Sequence, residues 1–133
     1  MAKILIIEDE RVVWALLDRI VKEMGHQTTI ATDGKQGLEL ARRGEYDVVI
    51  SDLQMPGEPS GIALLRQLRI LQPACPVVVV SGYPSPEVLG ECEKIGITDF
   101  LSKPFEMTFV HTIIDKIVKN KGTPENKPSR ERI

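Results

Sequence analysis

Short, uninterrupted apolar runs alternate along the chain with longer segments of helical periodicity, and this alternation leaves few possible folds. The runs Ile4–Ile7, Val48–Ile50 and Val77–Val80 contain no polar residue and are too short to form helices. Such runs are typical of strands that are covered on both faces, as in a parallel sheet. Two weaker strands are predicted at Thr28–Ala31 and Phe100–Leu101.

Helices are predicted between these strands and after the last one. Apolar side chains recur there at spacings of three and four residues, and glycines such as Gly25 and Gly96 mark the ends. Ser85 and Pro86 are typical of an N-cap and a first helical position. The predicted helical segments are Val13–Met24, Lys35–Arg43, Ile62–Leu71, Pro86–Ile95 and Glu106–Lys119. Five strand–helix units predict an α/β fold, a single doubly wound five-stranded parallel sheet with helices on both faces.

Composition and charge narrow the class of protein. The chain has 133 residues, enough for one domain, and its 17 Lys+Arg against 19 Asp+Glu leave a formal net charge of -2. That balance argues against direct binding to nucleic acid or to a membrane surface. The N-terminal apolar run is too short for a signal peptide, and no segment is long enough to span a bilayer. We therefore expect a cytoplasmic protein, in which Cys75 and Cys92 are reduced thiols without metal-ligand spacing.

The C-terminal segment differs in composition from the rest of the chain. From Gly122 to Ile133 it is polar and interrupted by Pro124 and Pro128. Basic residues outnumber acidic ones there, whereas the preceding part of the chain is acidic. We predict one domain over residues 1–121, followed at 122–133 by a disordered tail or the start of a linker.

Polar residues follow the predicted strands at the points where the chain leaves the sheet. They are Glu8, Asp9 and Glu10 after the first strand, and Asp52, Ser81 and Lys103 after the third, fourth and fifth. In an open parallel sheet these ends meet at one edge, where ligands bind. Clustered carboxylates without His or Cys favour a hard cation, Mg²⁺ or alternatively Mn²⁺, whose shell phosphate oxygens often complete. With a lysine and a hydroxyl nearby, the set predicts a phosphoryl site in which a carboxylate can be the acceptor.

Four segments carry more specific motifs. They are an acidic run in Ile6–Glu10, an aspartate before Met-Pro-Gly in Asp47–Gly57, a Ser-Gly pair in Val80–Tyr83 and a Lys-Pro pair in Asp99–Phe105. In this combination and order the chain resembles, from Lys3 to Lys119, the receiver domain of two-component response regulators, the CheY-like superfamily. The resemblance implies a flavodoxin-like strand order 2-1-3-4-5 and a role in a phosphorelay. It also implies a protein that is not an enzyme beyond its own phosphorylation and dephosphorylation.

The resemblance assigns roles to the acidic residues. Asp52 would be the phosphoacceptor and would attack a phosphohistidine on a sensor histidine kinase or a phosphotransfer protein. Asp9 and Asp52 would bind Mg²⁺ directly and Glu8 largely through water, with the backbone carbonyl of Gln54 as a further ligand. Glu10 is expected instead to be a solvated acid in the first turn of the following helix. No other cofactor is expected.

The remaining site residues would bind the phosphoryl group, respond to it or tune its lifetime. Ser81 and Lys103 would each contact a phosphoryl oxygen, and a cis bond from Lys103 to the following proline would direct the lysine into the site. Inward movement of Ser81 would make room for Phe100, which would switch the face formed by the last two helices and the strand between them. Gln54 and Tyr83 would flank the phosphoryl group and tune its lifetime. The partner of the switched face would be an output domain or another protein, and a homodimer is left open.

One departure from the family lies in the loop after the acceptor. Gly61 follows Asp52 by nine residues, where the family commonly has eight. We expect the insertion to leave the acceptor and the metal ligands in place. Its effect on partner contacts is left open.

Three alternative functions are considered. A phosphatase of the haloacid dehalogenase type would need a second acid at the position of Gln54. A flavodoxin-like cofactor carrier would need a phosphate-binding loop where the chain has Glu8, Asp9 and Glu10. A receiver-like interaction module that works without phosphorylation remains the main alternative.

Overall fold

The computed structural model describes residues 1–82 and 84–122, in which strands and helices alternate along the chain. The strands are β1 (Lys3–Ile7), β2 (Gln27–Ala31), β3 (Val48–Asp52), β4 (Val77–Ser81) and β5 (Asp99–Ser102). The helices are α1 (Arg11–Glu23), α2 (Gly34–Arg43), α3 (Gly61–Leu71), α4 (Pro86–Ile95) and α5 (Met107–Gly122). The strands form one parallel sheet in the order β2-β1-β3-β4-β5, which confirms the predicted fold class.

Two apolar layers cover the sheet, one on each face. Successive strand residues point to opposite faces, so Ile4 and Ile6 pack with α1 and α5, whereas Leu5 and Ile7 pack with α2, α3 and α4. Every residue of the central strands β3 and β4 is buried. The uninterrupted apolar runs Val48–Ile50 and Val77–Val80 within these strands therefore follow from burial on both faces.

Helix α4 begins and ends as its sequence predicts. The Ser85 hydroxyl accepts a hydrogen bond from the Val88 backbone N–H at 3.1 Å, and Pro86 occupies the first turn, where a missing N–H costs nothing. At the other end Gly96 has φ 89°, a left-handed conformation that favours glycine. These local signals fix where α4 starts relative to the end of β4.

The loop that carries the predicted insertion packs against the start of α2. A Cβ built on Gly34 would lie 1.9 Å from the Pro59 carbonyl oxygen, so the loop backbone approaches the helix where only a glycine fits. Gly57, in the same loop, has φ 84°. The loop after Asp52 therefore lies against the first turn of α2.

Two further predictions concern the C-terminal tail and the possibility of a membrane span. The predicted tail, apart from Gly122 at the end of α5, lies outside the described residues, as does Tyr83. Within residues 1–82 and 84–122 no helix is both long enough and apolar enough to cross a membrane.

Candidate functional site

The carboxyl ends of four strands bring the predicted site residues to one edge of the sheet. Asp52 is the last residue of β3 and Ser81 the last of β4, and the two strands are in register with Asp52 opposite Val80. Lys103 directly follows β5, and its backbone N–H donates to the Ser81 carbonyl at 2.8 Å. Glu8 directly follows β1. The predicted edge is therefore the one at which these polar side chains meet.

The ammonium group of Lys103 lies among three carboxylates. Its Nζ is 2.8 Å from Glu10 Oε1, 3.1 Å from Asp52 Oδ2 and 3.3 Å from Glu8 Oε1. The contacts to Glu10 and Asp52 are hydrogen bonds in which the lysine donates. Although burial lowers the pKa of Lys103, its hydrogen bonds to Glu10 and Asp52 and the nearby carboxylate charges outweigh that effect and raise the pKa, so the lysine stays charged. One cation thus partly neutralises three acids.

The three carboxylates differ sharply in their exposure. Glu8 and Asp52 are 1% and 2% exposed, whereas the Glu10 side chain is 60% exposed. Oxygens of all three lie within 4.8 Å of one another. Burial, reinforced by the neighbouring Asp52, raises the pKa of Glu8 to about 8. Without a further cation, Glu8 therefore holds its proton at neutral pH, and Lys103 balances the charge of the buried Asp52.

Several buried polar atoms at this edge have no hydrogen-bond partner among the described residues. They are Glu8 Oε1, Asp9 Oδ1 and Ser81 Oγ, and the Ser81 side chain is fully buried. Buried polar groups normally have hydrogen-bond partners, so these oxygens beside a charged lysine have hydrogen-bonding capacity left for a ligand. Carboxylate oxygens of this kind are the donors that Mg²⁺ prefers, and the residues present therefore fit that ion.

The predicted metal ligands occupy different positions around the cluster. Asp9, predicted as a direct ligand, is not one of the three residues whose oxygens lie within 4.8 Å; these are Glu8, Glu10 and Asp52. The backbone N–H of Gln54 donates to Asp52 Oδ1 at 3.0 Å, so Gln54 is held next to the acceptor and its side chain is exposed. The ligand roles of Asp9 and of the Gln54 carbonyl stay predictions.

The structure describes the predicted switch residue Phe100, but not Tyr83, which is predicted to tune the lifetime of the phosphoryl group. Phe100 is half-buried, packs with the apolar layer on the α2–α4 side, and lines a cavity with Phe105 and Phe109. The Lys103–Pro104 peptide bond is cis, as predicted. The predicted role of Tyr83 falls outside the described residues.

Glu10 lies at this edge as predicted, but it has a contact in the site that the sequence did not predict. Predicted as a solvated acid in the first turn of α1, it precedes the helix as the N-cap residue, with extended backbone angles of φ -80° and ψ 118°. This conformation keeps its carboxylate over the sheet edge, where it pairs with Lys103. The signal in the sequence is the acidic run itself, because the third acid directly precedes the first helical residue.

Comparison with known proteins agrees with this arrangement. A sequence model of the family described as "Response regulator receiver domain" matches residues 4–115. Transcriptional regulatory protein ZraR of Escherichia coli K12 is 32% identical over 113 residues, which cover 85% of this chain and 25% of that protein. Sporulation initiation phosphotransferase F of Bacillus subtilis is 26% identical over 120 residues, which cover 90% of this chain and 96% of that protein. The chain thus spans about a quarter of the length of ZraR.

Solved structures show the same fold. The receiver domain of the Francisella response regulator 1452 superposes with a TM-score of 0.82 at 32% identity, over 91% of this chain and 99% of that one. The chemotaxis response regulator CheY4 of Vibrio cholerae superposes with a TM-score of 0.80 at 26% identity, over 88% and 98%. The family match covers most of the chain and the solved structures share its fold, so the chain belongs to the response regulator receiver domain family of two-component systems.

Proposed function

We propose that this receiver domain accepts a phosphoryl group on Asp52 from a phosphohistidine of a sensor histidine kinase or a phosphotransfer protein. The observation that carries the proposal is the setting of the Asp52 carboxylate. It is 2% exposed, at the end of a central strand, with Lys103 Nζ 3.1 Å from Oδ2 and with the unpartnered Ser81 hydroxyl at the end of the next strand. A nucleophile, a cation and a hydrogen-bond donor are thus held at one edge of the sheet.

The reaction needs little covalent chemistry from the protein. An Asp52 carboxylate oxygen attacks the phosphorus, and the P–N bond to the donor histidine breaks, so that the imidazole leaves with the electron pair and takes a proton. The product is an acyl phosphate on Asp52. Lys103 and Ser81 stabilise the charge on the phosphoryl oxygens, one as an ammonium group and the other as a hydroxyl donor.

Mg²⁺ would be held by Glu8, Asp9, Asp52 and the backbone carbonyl of Gln54, and Mn²⁺ would fit the same donors. When bound, the ion neutralises charge on the acids and on the phosphoryl oxygens. Among the described residues, Asp9 Oδ1 accepts no hydrogen bond and Glu8 Oε1 makes only an ion-pair contact with Lys103, and both observations support this assignment. The raised pKa of Glu8 supports it as well, because a cation would relieve the repulsion that contributes to that shift.

We further propose that the phosphoryl group acts on the face formed by α4, β5 and α5. The Ser81 hydroxyl would turn to a phosphoryl oxygen, and Phe100 would pack into the space behind it. Leu89 on α4 and Phe109 on α5, 44% and 49% exposed, lie on the helices of this face and would contact an output domain or a partner protein in the cytoplasm. Gln54, which is exposed next to Asp52, and Tyr83 would set the lifetime of the acyl phosphate.

The proposal is tested by intact-mass spectrometry after incubation with acetyl phosphate and Mg²⁺. We expect one phosphoryl adduct in the wild type and none in Asp52→Asn. The matched control is Asp47→Asn, which changes an aspartate just before the opposite end of β3, where it accepts from the Lys3 backbone N–H at 2.8 Å. This control should be labelled like the wild type, and EDTA should abolish labelling of both.

An unlabelled wild type, under conditions that label a known receiver domain, would contradict the proposal. That result would favour the interaction module that works without phosphorylation. An adduct that persists in Asp52→Asn would instead place the acceptor on another residue. Labelling that survives EDTA would contradict the role of the divalent cation.

A further inference from the structure

The Glu10 carboxylate holds Lys103 at the rim of the site. At 2.8 Å its contact with Lys103 Nζ is shorter than those made by Asp52 and Glu8, at 3.1 and 3.3 Å. Glu8 Oε1 makes no hydrogen bond with the ammonium group in spite of this distance. The lysine is thus held between one exposed acid and the acceptor itself.

The two inner acids are fixed, whereas Glu10 is not buried. Glu8 Oε2 accepts the Glu10 backbone N–H at 3.0 Å and Asp52 Oδ1 accepts the Gln54 backbone N–H at 3.0 Å, so both carboxylates are tied to the main chain. The Glu10 side chain is 60% exposed and belongs to the N-cap residue of α1, where it makes no capping hydrogen bond. It can therefore turn into solvent without opening the core or uncapping the helix.

We propose that Glu10 is a positioning residue that holds Lys103 in the unphosphorylated site and competes with the phosphoryl group for its ammonium group. The inference rests on the proposed function, because the competitor is the phosphoryl group on Asp52. A charge-assisted hydrogen bond made only before phosphorylation stabilises the unphosphorylated state. Glu10 thereby lowers the rate at which Asp52 is phosphorylated. Phosphorylation in turn releases the Glu10 carboxylate from Lys103 at the start of α1.

The test measures the rate of Asp52 labelling at limiting acetyl phosphate and saturating Mg²⁺ in wild type, Glu10→Gln, Lys103→Gln and the double variant. Glutamine keeps the shape of the side chain and removes its charge. We expect Glu10→Gln to be labelled roughly three- to tenfold faster than the wild type. In the Lys103→Gln background, followed at a higher acetyl phosphate concentration, the same change should alter the rate by less than about twofold.

The control variant is Glu23→Gln, an exposed acid at the other end of α1 that pairs with Arg19 at 3.3 Å. It changes the net charge by the same amount and should leave the rate unchanged. An unchanged or slower rate in Glu10→Gln, with normal labelling of the wild type, would overturn the inference. Equal acceleration with and without Lys103 would also overturn it, because Glu10 would then only repel the donor. A wild type that takes up no phosphoryl group would refute the proposed function instead.

Discussion

Replacing Glu8 by glutamine should stabilise the metal-free protein at neutral and alkaline pH. Burial and the neighbouring Asp52 raise the pKa of Glu8 from 4.5 to about 8 in the folded protein. In the unfolded chain the same carboxyl titrates near its ordinary value. Between these two pKa values the folded state therefore binds a proton that the unfolded state does not, and the stability of the wild type falls as the pH rises.

The size of the effect follows from the width of this window. Each pH unit between the two pKa values lowers the free energy of unfolding by about 1.4 kcal/mol, so the penalty at neutral pH is about 3 kcal/mol. Glutamine cannot ionise and can still accept the Glu10 backbone N–H that now bonds to Glu8 Oε2 at 3.0 Å. Lys103 keeps Glu10 and Asp52 as partners. We expect Glu8→Gln to differ little from the wild type in stability near pH 4.5, and to be more stable by about 3 kcal/mol near pH 7 and by roughly 4 kcal/mol near pH 8.

The assay is urea unfolding followed by circular dichroism, in EDTA, at about pH 5, about pH 6.5 and about pH 8. The quantity compared is the difference in unfolding free energy between the variant and the wild type, because other titrating groups cancel in it. Glu23→Gln, which changes an exposed acid, should show no difference that grows with pH. A difference that is independent of pH, or a variant less stable than the wild type at about pH 8, would refute the reasoning.

Three further predictions concern the metal site and two helical glycines. The affinity for Mg²⁺ should rise on the order of tenfold from about pH 6.5 to about pH 8.5, because Glu8 loses its proton in that range. The affinity is measured by Mg²⁺ titration, followed by the fluorescence of the single tryptophan, Trp14. An affinity that does not change with pH would contradict the role of Glu8 as a metal ligand. Gly34→Ala should destabilise the protein by roughly 1–3 kcal/mol in urea unfolding, because the new Cβ would meet the Pro59 carbonyl oxygen at 1.9 Å. Gly90→Ala in the interior of α4 should instead stabilise the protein by about 0.5–1 kcal/mol, because no described residue beyond the neighbouring helical backbone lies within 4 Å of the new Cβ. Equal effects of the two alanines would contradict the close backbone approach at Gly34.

The strands and helices could be predicted because burial leaves a local record in the sequence. Val48–Ile50 and Val77–Val80 are apolar at every position, which a strand buried on both faces requires. The ends of α4 were likewise predictable, since Ser85 and Gly96 act on backbone groups within a few residues. The structure extends the predicted β3 to Asp52 and β4 to Ser81, because pairing with neighbouring strands continues into the polar residues.

The meeting of Asp52, Ser81 and Lys103 could also be predicted, because parallel strands place all their carboxyl ends at one edge. The contact between Lys103 and Glu10 could not be predicted. Glu10 lies 93 residues away in the sequence, and its contact depends on where α1 begins and how far the Lys103 side chain reaches. The spacing of acids along a chain carries no record of such distances.

The sequence alone was enough for the order of strands and helices along the chain and for the edge at which the polar site residues collect, since both follow from residue type and local periodicity. Its four motifs carried the resemblance to the family. Tertiary structure decided which oxygens surround Lys103, and it left Glu10 rather than Asp9 in the group of three carboxylates within 4.8 Å. It also decided that the loop after Asp52 reaches Gly34 on α2. These features depend on the packing of segments that are remote in the chain, where differences of about an ångström select one partner over another.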